Sequence, residues 1–365
     1  LRFAFTADFH LLLLFPSTSV KSISGKLLLN SALMTVPSPL IQAAAAVHFR
    51  NGTEIVDFFS TTVKSHFIEW FNANCANRQA WAGKAIGTTQ DVKSRFRQLW
   101  DNIPAMFDSD SINLLQFLAL MSILINEAGQ RLFPVTELCG SAACPGLAYP
   151  FNSIPGVKRS YNLGQGNRRA GILFFDDPHF WEAHNHLAAA SLVRARPNDR
   201  ELWNGAVYPQ HLFPTSLDPA QSGFIQQADF FKFRGRGFIQ ITWRANYKAI
   251  ISFVQAYSGS NDTILRYKSA WQALDPDVVC TISANDDWDA LFQQTDLIIA
   301  SRAIGLHNHA SGDYLQLSSD PGVLAAQAMT PGSFYYMGHR ISGGDNYASI
   351  FCQRIAQVLN TLNHT

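Results

Sequence analysis

Hydrophobic positions recur at helical spacing through most of the chain. From Thr53 to Cys75 the residues Ile55, Phe58, Phe59, Val63, Phe67, Ile68 and Phe71 return every three or four positions, as an amphipathic helix requires. The same period returns over 91–100, 243–257, 286–304 and 347–362. The run from Ile112 to Asn126 differs in being apolar on nearly every side, with Asp110 or Ser111 available as N-cap. A helix of that kind has no face for water and belongs in the core. Strand-type alternation is scarce, so the pattern predicts a mainly α fold with little β structure.

Two stretches break the pattern. Residues 134–230 are rich in Pro, Gly, Asn and aromatics apart from a helical interlude over 178–193, which reads as a substrate-binding excursion or a surface elaboration. At the start, Leu11 to Phe15 is a short apolar block behind Arg2, as in a secretory signal, but Asp8 and His10 interrupt it, and Met34 offers an alternative start. Residues 1–45 are therefore expected to be a leader or non-native segment, poorly ordered. The rest, 46–365, reads as one domain: a helical elaboration over 46–105, then a core over 106–365 with an insertion at 138–228.

Composition narrows the class. The 28 Lys and Arg against 27 Asp and Glu leave a net charge of +1, so no basic field exists to hold a nucleic acid. No apolar run reaches the roughly 18 residues of a membrane span, the closest being Leu114 to Ile125. A monomer acting on a neutral or mixed-charge substrate is expected. Five cysteines are an odd number spread thinly, and only Cys139 and Cys144 lie close enough in sequence for a local disulfide, with two free thiols the alternative. No second pair supplies a zinc site, and no cofactor is called for.

Candidate chemistry concentrates in two segments. Glu127 closes the buried helix just before Gly129, where partial desolvation favours a protonated carboxyl group and hence a general acid; pairing with a nearby Arg is the plainer alternative. In the second segment, Arg234-Gly-Arg236-Gly permits a tight turn and close approach to a ligand. Phe238 to Thr242 then alternates like a short strand, and Trp243 opens a helix carrying Asn246 and Tyr247. Gln240, Thr242 and Asn246 are neutral hydrogen-bonding groups suited to sugar hydroxyls and acetamido groups.

The fifteen residues FRGRGFIQITWRANY, Phe233 to Tyr247, resemble the signature of the family 19 glycoside hydrolases, the chitinases and related lysozyme-type endolysins. Asn126-Glu127-Ala128-Gly129 resembles the family's His-Glu-[Ser/Thr]-Gly, whose Glu is the proton donor, with Asn in place of His. Arg340-Ile341-Ser342-Gly343-Gly344 resembles its Ile-Asn-Gly-Gly loop, with Ser342 in place of Asn. The resemblance implies a lysozyme-like two-lobed fold and inverting cleavage of β-1,4 bonds in a polysaccharide containing N-acetylglucosamine. Peptidoglycan is favoured over chitin, because the Thr-Trp-Arg-Ala-Asn-Tyr ending is similar to the endolysin branch. Such a protein acts outside the cell or in the cell-wall space.

Inversion needs a second carboxylate roughly 6.5–9.5 Å from the first, with room for a water. Glu137 is the first choice, and Glu182 and Glu201 are alternatives. Arg236, Gln240, Thr242, Trp243, Asn246, Tyr247 and Ser342 are the expected substrate contacts. Two rival functions remain: an inactive carbohydrate-binding member, or a metal-dependent hydrolase built on His184 and His186 with Asp176, Asp177, His179 and Glu182.

Overall fold

The computed structural model describes residues 38–136, 232–242, 244–307, 317, 329–342 and 345–364. In chain order the elements begin with α1 (Ser38–Ala46), β1 (His48–Phe49), α2 (Gly52–Thr62), α3 (Phe67–Asn74), α4 (Gln90–Asp101), α5 (Ile103–Phe107), β2 (Ile112–Asn113) and α6 (Leu114–Glu127). A short ribbon of β3 (Val135–Thr136) and β4 (Arg236–Gly237) comes next, then α7 (Arg244–Ala256), α8 (Asp262–Trp271), α9 (Pro276–Ile282) and α10 (Asn285–Phe292). Last are α11 (Ile298–Leu306), α12 (Phe334–Ser342) and α13 (Asp345–Asn363). The protein is mainly helical, as its periodicity predicts. It divides into two compact units, one made of the chain up to Phe133 and from Asp296 onward, the other of Pro134–Thr295.

Helix α6 organises the first unit. All of Leu114 to Ile125 is buried, and Phe117 meets the rings of Phe49, Phe59, Phe67, Phe96 and Trp100 at centroid distances of 4.8 to 6.2 Å. These rings come from β1, α2, α3 and α4, so residues 46–105 supply the wall around the central helix. Helix α1 packs on α6 and α13 with Ile41 and Ala44 buried, which puts residues 38–45 of the presumed leader inside the described fold.

Three boundaries differ from the periodic reading. Neither Asp110 nor Ser111 caps α6, because Ile112 and Asn113 are extended and pair with Phe49 and His48. Asn113 instead accepts from the Gln116 backbone N–H at 2.9 Å, and Gln116 accepts from the Asn113 N–H at 2.7 Å, a reciprocal capping box. The 53–75 run splits into α2 and α3, where Lys64 turns left-handed (φ +57°) and His66 caps the new helix. The 286–304 run splits likewise into α10 and α11 at Leu297 (φ +61°), next to the boundary of the two units. A hydrophobic period survives a break of whole turns, so it does not report these corners.

Two histidines make the first unit sensitive to acid. His66 Nδ1 accepts from the Ile68 N–H at 3.1 Å while its ring lies against Phe96, and the same nitrogen is 3.5 Å from the Glu69 carboxylate. One lone pair cannot hold the cap and a proton together. Burial dominates and lowers the His66 pKa against the pull of Glu69, with Lys93 helping. His307, at the end of α11, is buried with Nε2 3.2 Å from the Ile341 carbonyl oxygen, and burial lowers its pKa too. Both folded values lie below the ordinary 6.5, so the unfolded chain binds more protons as pH falls below that point. The expected result is full stability above pH 6.5 and a falling urea midpoint below it; His66→Asn, which keeps a capping oxygen, should flatten that slope.

The second unit has its own core. Helix α7 packs on α8 and α9, and Trp288 of α10 meets Tyr247 at 4.8 Å, Trp271 at 5.5 Å and Phe233 at 5.9 Å. Strands β3 and β4 pair antiparallel, Val135 with Gly237 and Thr136 with Arg236. Cys75 and Cys352 are buried free thiols, with burial pushing Cys75 up to about 11 and Cys352 up to about 12; Cys280 is buried as well. Cys139 and Cys144 lie outside the described residues. Among those described, no helix is long and apolar enough to cross a membrane.

Candidate active site

Glu127 is the last residue of α6, and Gly129 follows in the left-handed conformation (φ +62°) that a chain leaving a helix often needs. The carboxyl group is half-buried rather than enclosed. Its Oε1 accepts from Asn126 Nδ2 at 3.0 Å. Asn126 is fixed from the other side by Arg354 of α13, whose Nη1 is 3.5 Å from Asn126 Oδ1 and 3.3 Å from the Ser122 carbonyl oxygen. Because Arg354 can only donate, the Asn126 oxygen faces it and the amide nitrogen is left for Glu127.

Arg354 is itself a buried cation. Its Nε donates to the Ala80 carbonyl oxygen at 3.0 Å, and its guanidinium lies 5.0 Å over the Trp81 ring. Burial lowers its pKa to about 10, against the opposing attraction of Glu127 and Tyr347, so it stays charged at neutral pH. Lys84 also feels the Glu127 charge. The plainer reading of Glu127, a carboxylate beside an arginine, thus has a named partner, and the positioned acid has a named support. Sequence reasoning missed Arg354. Its signal is a cation inside the apolar stripe Phe351, Ile355 and Val358 of α13.

In the second unit, the Arg-Gly-Arg-Gly segment is pinned inside the protein. Arg236 is 0% exposed and donates from Nε to Asp289 Oδ1 (2.7 Å), from Nη1 to the Lys232 carbonyl oxygen (2.9 Å) and Tyr247 Oη (3.0 Å), and from Nη2 to Asn285 Oδ1 (3.3 Å). Tyr247, also 0% exposed, donates to the Arg234 carbonyl oxygen at 2.6 Å. Burial opposes the Arg236 charge, yet Tyr247 and Asp289 more than offset it and raise the pKa, while burial raises that of Tyr247. Arg236 and Tyr247, both expected to touch substrate, are enclosed by protein groups and shape the segment from within.

The stretch expected to be a strand, Phe238 to Thr242, is mostly a turn. Arg236 and Ile241 bond each other's backbones at 3.1 and 3.0 Å, closing a four-residue loop that Gly237 enters at φ +106°. Phe238, Ile239 and Ile241 all go inside, which a flat strand could not achieve with alternating faces. Gln240, Thr242 and Asn246 stay half-buried. Asn246 Nδ2 donates to the Thr242 carbonyl oxygen at 2.7 Å, and Thr242 Oγ1 donates to that of Gln240 at 3.3 Å. The Gln240 amide makes no side-chain hydrogen bond within the described residues. This turn presents neutral donors and acceptors, with its charges turned inward.

Thr136 pairs with Arg236, so the chain one residue before Glu137 runs beside this turn. Glu137 itself lies outside the described residues, as do Trp243, Glu182, Glu201 and the 176–186 cluster with His184 and His186. Arg340 to Ser342 form the last turn of α12, held by His307 at Ile341; the Ser342 side chain is not described. Among the described residues no group of three metal-ligating side chains occurs. Glu127 belongs to the first unit and the 234–247 segment to the second. Compared with protein-family models, curated proteins and solved structures, the chain matches none.

Proposed function

We propose that the protein is a glycoside hydrolase that cleaves β-1,4 bonds of a polysaccharide containing N-acetylglucosamine, with peptidoglycan ahead of chitin, by inverting general acid/base catalysis on a lysozyme-like two-lobed fold. The observation that supports this most is the turn at 237–242. It leaves Gln240, Thr242 and Asn246 half-exposed and uncharged while Arg234, Arg236 and Tyr247 are withdrawn into the core. A surface of amides and hydroxyls suits a sugar, whose hydroxyl and acetamido groups both donate and accept.

In this mechanism Glu127 gives its proton to the glycosidic oxygen as the C1–O bond breaks. Glu137, or Glu182 or Glu201 in its place, takes a proton from water attacking the opposite face of the sugar. Asn126 and Arg354 orient the acid; Thr242 and Gln240 hold the acetamido group or the water, and Asn246 a neighbouring sugar. Ser342 and Trp243 complete the contacts. The setting is extracellular or the cell-wall space.

Mass spectrometry of products from purified cell walls and from chitin oligomers tests this directly. Shortened glycans that have gained one water per cut are expected, the larger yield coming from cell walls. Binding without any shortened product would point instead to an inactive carbohydrate-binding protein, and loss of cutting with a chelator to metal-dependent hydrolysis.

A further inference from the structure

The segment from Trp81 to Gly87 is tied down at both ends around the C-terminal turn of α6. At one end Trp81 Nε1 donates to the Arg354 carbonyl oxygen at 3.2 Å, and Arg354 in turn holds Ala80 and Asn126. At the other, the Gly87 N–H donates to the carbonyl oxygen of Gln130 at 2.8 Å, three residues beyond Glu127. The Asn72 amide clamps Ile86 through both its N–H (2.9 Å) and its carbonyl oxygen (2.6 Å). Lys84 is the only charged residue on this strap.

The strap's geometry therefore brings one cation to the end of α6 that carries the proposed acid. Lys84 is half-buried, and its ammonium has no hydrogen bond or ion pair within the described residues. Its neighbours Ala82 and Gly83 are exposed, and a Cβ on Gly83 would meet nothing within 4 Å. The ammonium thus keeps open donors on a strap bonded around the end of α6. Burial lowers its pKa, as does the buried Arg354 charge, while Glu127 opposes both. A second anion arriving there would relieve the repulsion between the two cations.

Taking Glu127 as the acid of the proposed hydrolase, we infer that Lys84 is a specificity residue that binds a carboxylate carried by the glycan next to the bond being cut. Cell-wall glycan bears such a carboxylate on each lactyl group that carries no peptide, and chitin bears none, so this one side chain distinguishes an acidic from a neutral polymer of the same sugar. The alternative role, a counter-ion for Glu127, would influence every substrate alike.

The test uses the full chain and two forms of one substrate: cell-wall glycan with free carboxylates, and the same glycan with its carboxylates converted to amides. The selectivity is the ratio of kcat/KM on the first to that on the second. Lys84→Gln is expected to lower this ratio about fivefold, the scale of a partly exposed charge pair. An unchanged ratio, whether both rates fall together or neither falls, overturns the inference. Co-sedimentation of the inactive Glu127→Gln protein with both glycans, with and without Lys84→Gln, supplies a second readout. A protein that cuts neither glycan would refute the hydrolase, and sedimentation would still decide whether Lys84 selects the carboxylate form.

Discussion

Glu127→Gln should abolish glycan cleavage, by about 10²- to 10⁴-fold as expected for loss of a general acid, and should not destabilise the protein. The second half of this expectation follows from where Glu127 sits. Whenever it is ionised between turnovers, a carboxyl group at the C-terminus of α6 faces the negative end of the helix dipole, an arrangement that costs about 0.3–1 kcal/mol. Gln removes that charge, keeps the length and can still accept from Asn126. Arg354 loses an attractive neighbour but keeps its bonds to Ala80, Ser122 and Asn126. Product release from purified cell walls, with thermal unfolding followed by circular dichroism, checks both halves. An unaltered rate would remove Glu127 from the mechanism; a lost rate with a lowered midpoint would make it a structural carboxylate paired with Arg354.

What could be read from the sequence divides by the range of the forces involved. Helix α6 was legible because its burial is written into a single uninterrupted apolar run, and α4, α7 and α13 because each shows one clean stripe. The cap on α6 is not legible because it depends on β1, more than sixty residues away, which draws Ile112 and Asn113 into extended pairing. The breaks at Lys64 and Leu297 were invisible because left-handed turns at Lys or Leu carry no local signature comparable to glycine.

The candidate site shows the same division. Glu127 and the 234–247 segment stood out through resemblance, but composition alone could not say which polar groups face water. Arg-Gly-Arg-Gly looks like a ligand loop until Asp289 and Asn285 of α10 are seen to take up its guanidinium groups. Those partners lie about fifty residues downstream, at ordinary positions of an amphipathic helix, with nothing in spacing to reveal them. Lys84 and Arg354 carry no sequence signal of their place at α6 for a similar reason. Each acts at α6 from an element distant in sequence.

Arg236→Met is the substitution expected to damage the second unit most. It removes the guanidinium from a fully buried position and leaves Asp289, Asn285, Tyr247 and the Lys232 carbonyl oxygen without a donor they now have. Breaking a buried, hydrogen-bonded charge pair costs about 3–5 kcal/mol, of the order of a domain's whole stability. Asp289 can turn toward water, since its side chain is 22% exposed, so the lower end of that range applies. Arg236→Lys keeps the charge but not the planar fork that serves four acceptors, and should fall between Met and the parent. Gln240→Ala, four residues on, touches no such network; it should leave the unfolding midpoint within about 0.5 kcal/mol and weaken glycan binding. Urea unfolding followed by near-ultraviolet circular dichroism, to which Trp271 and Trp288 contribute along with the other tryptophans, in parallel with glycan co-sedimentation, separates the two kinds of residue. An Arg236→Met protein that unfolds like the parent but no longer sediments with glycan would move Arg236 out of the core scaffold and into contact with the sugar.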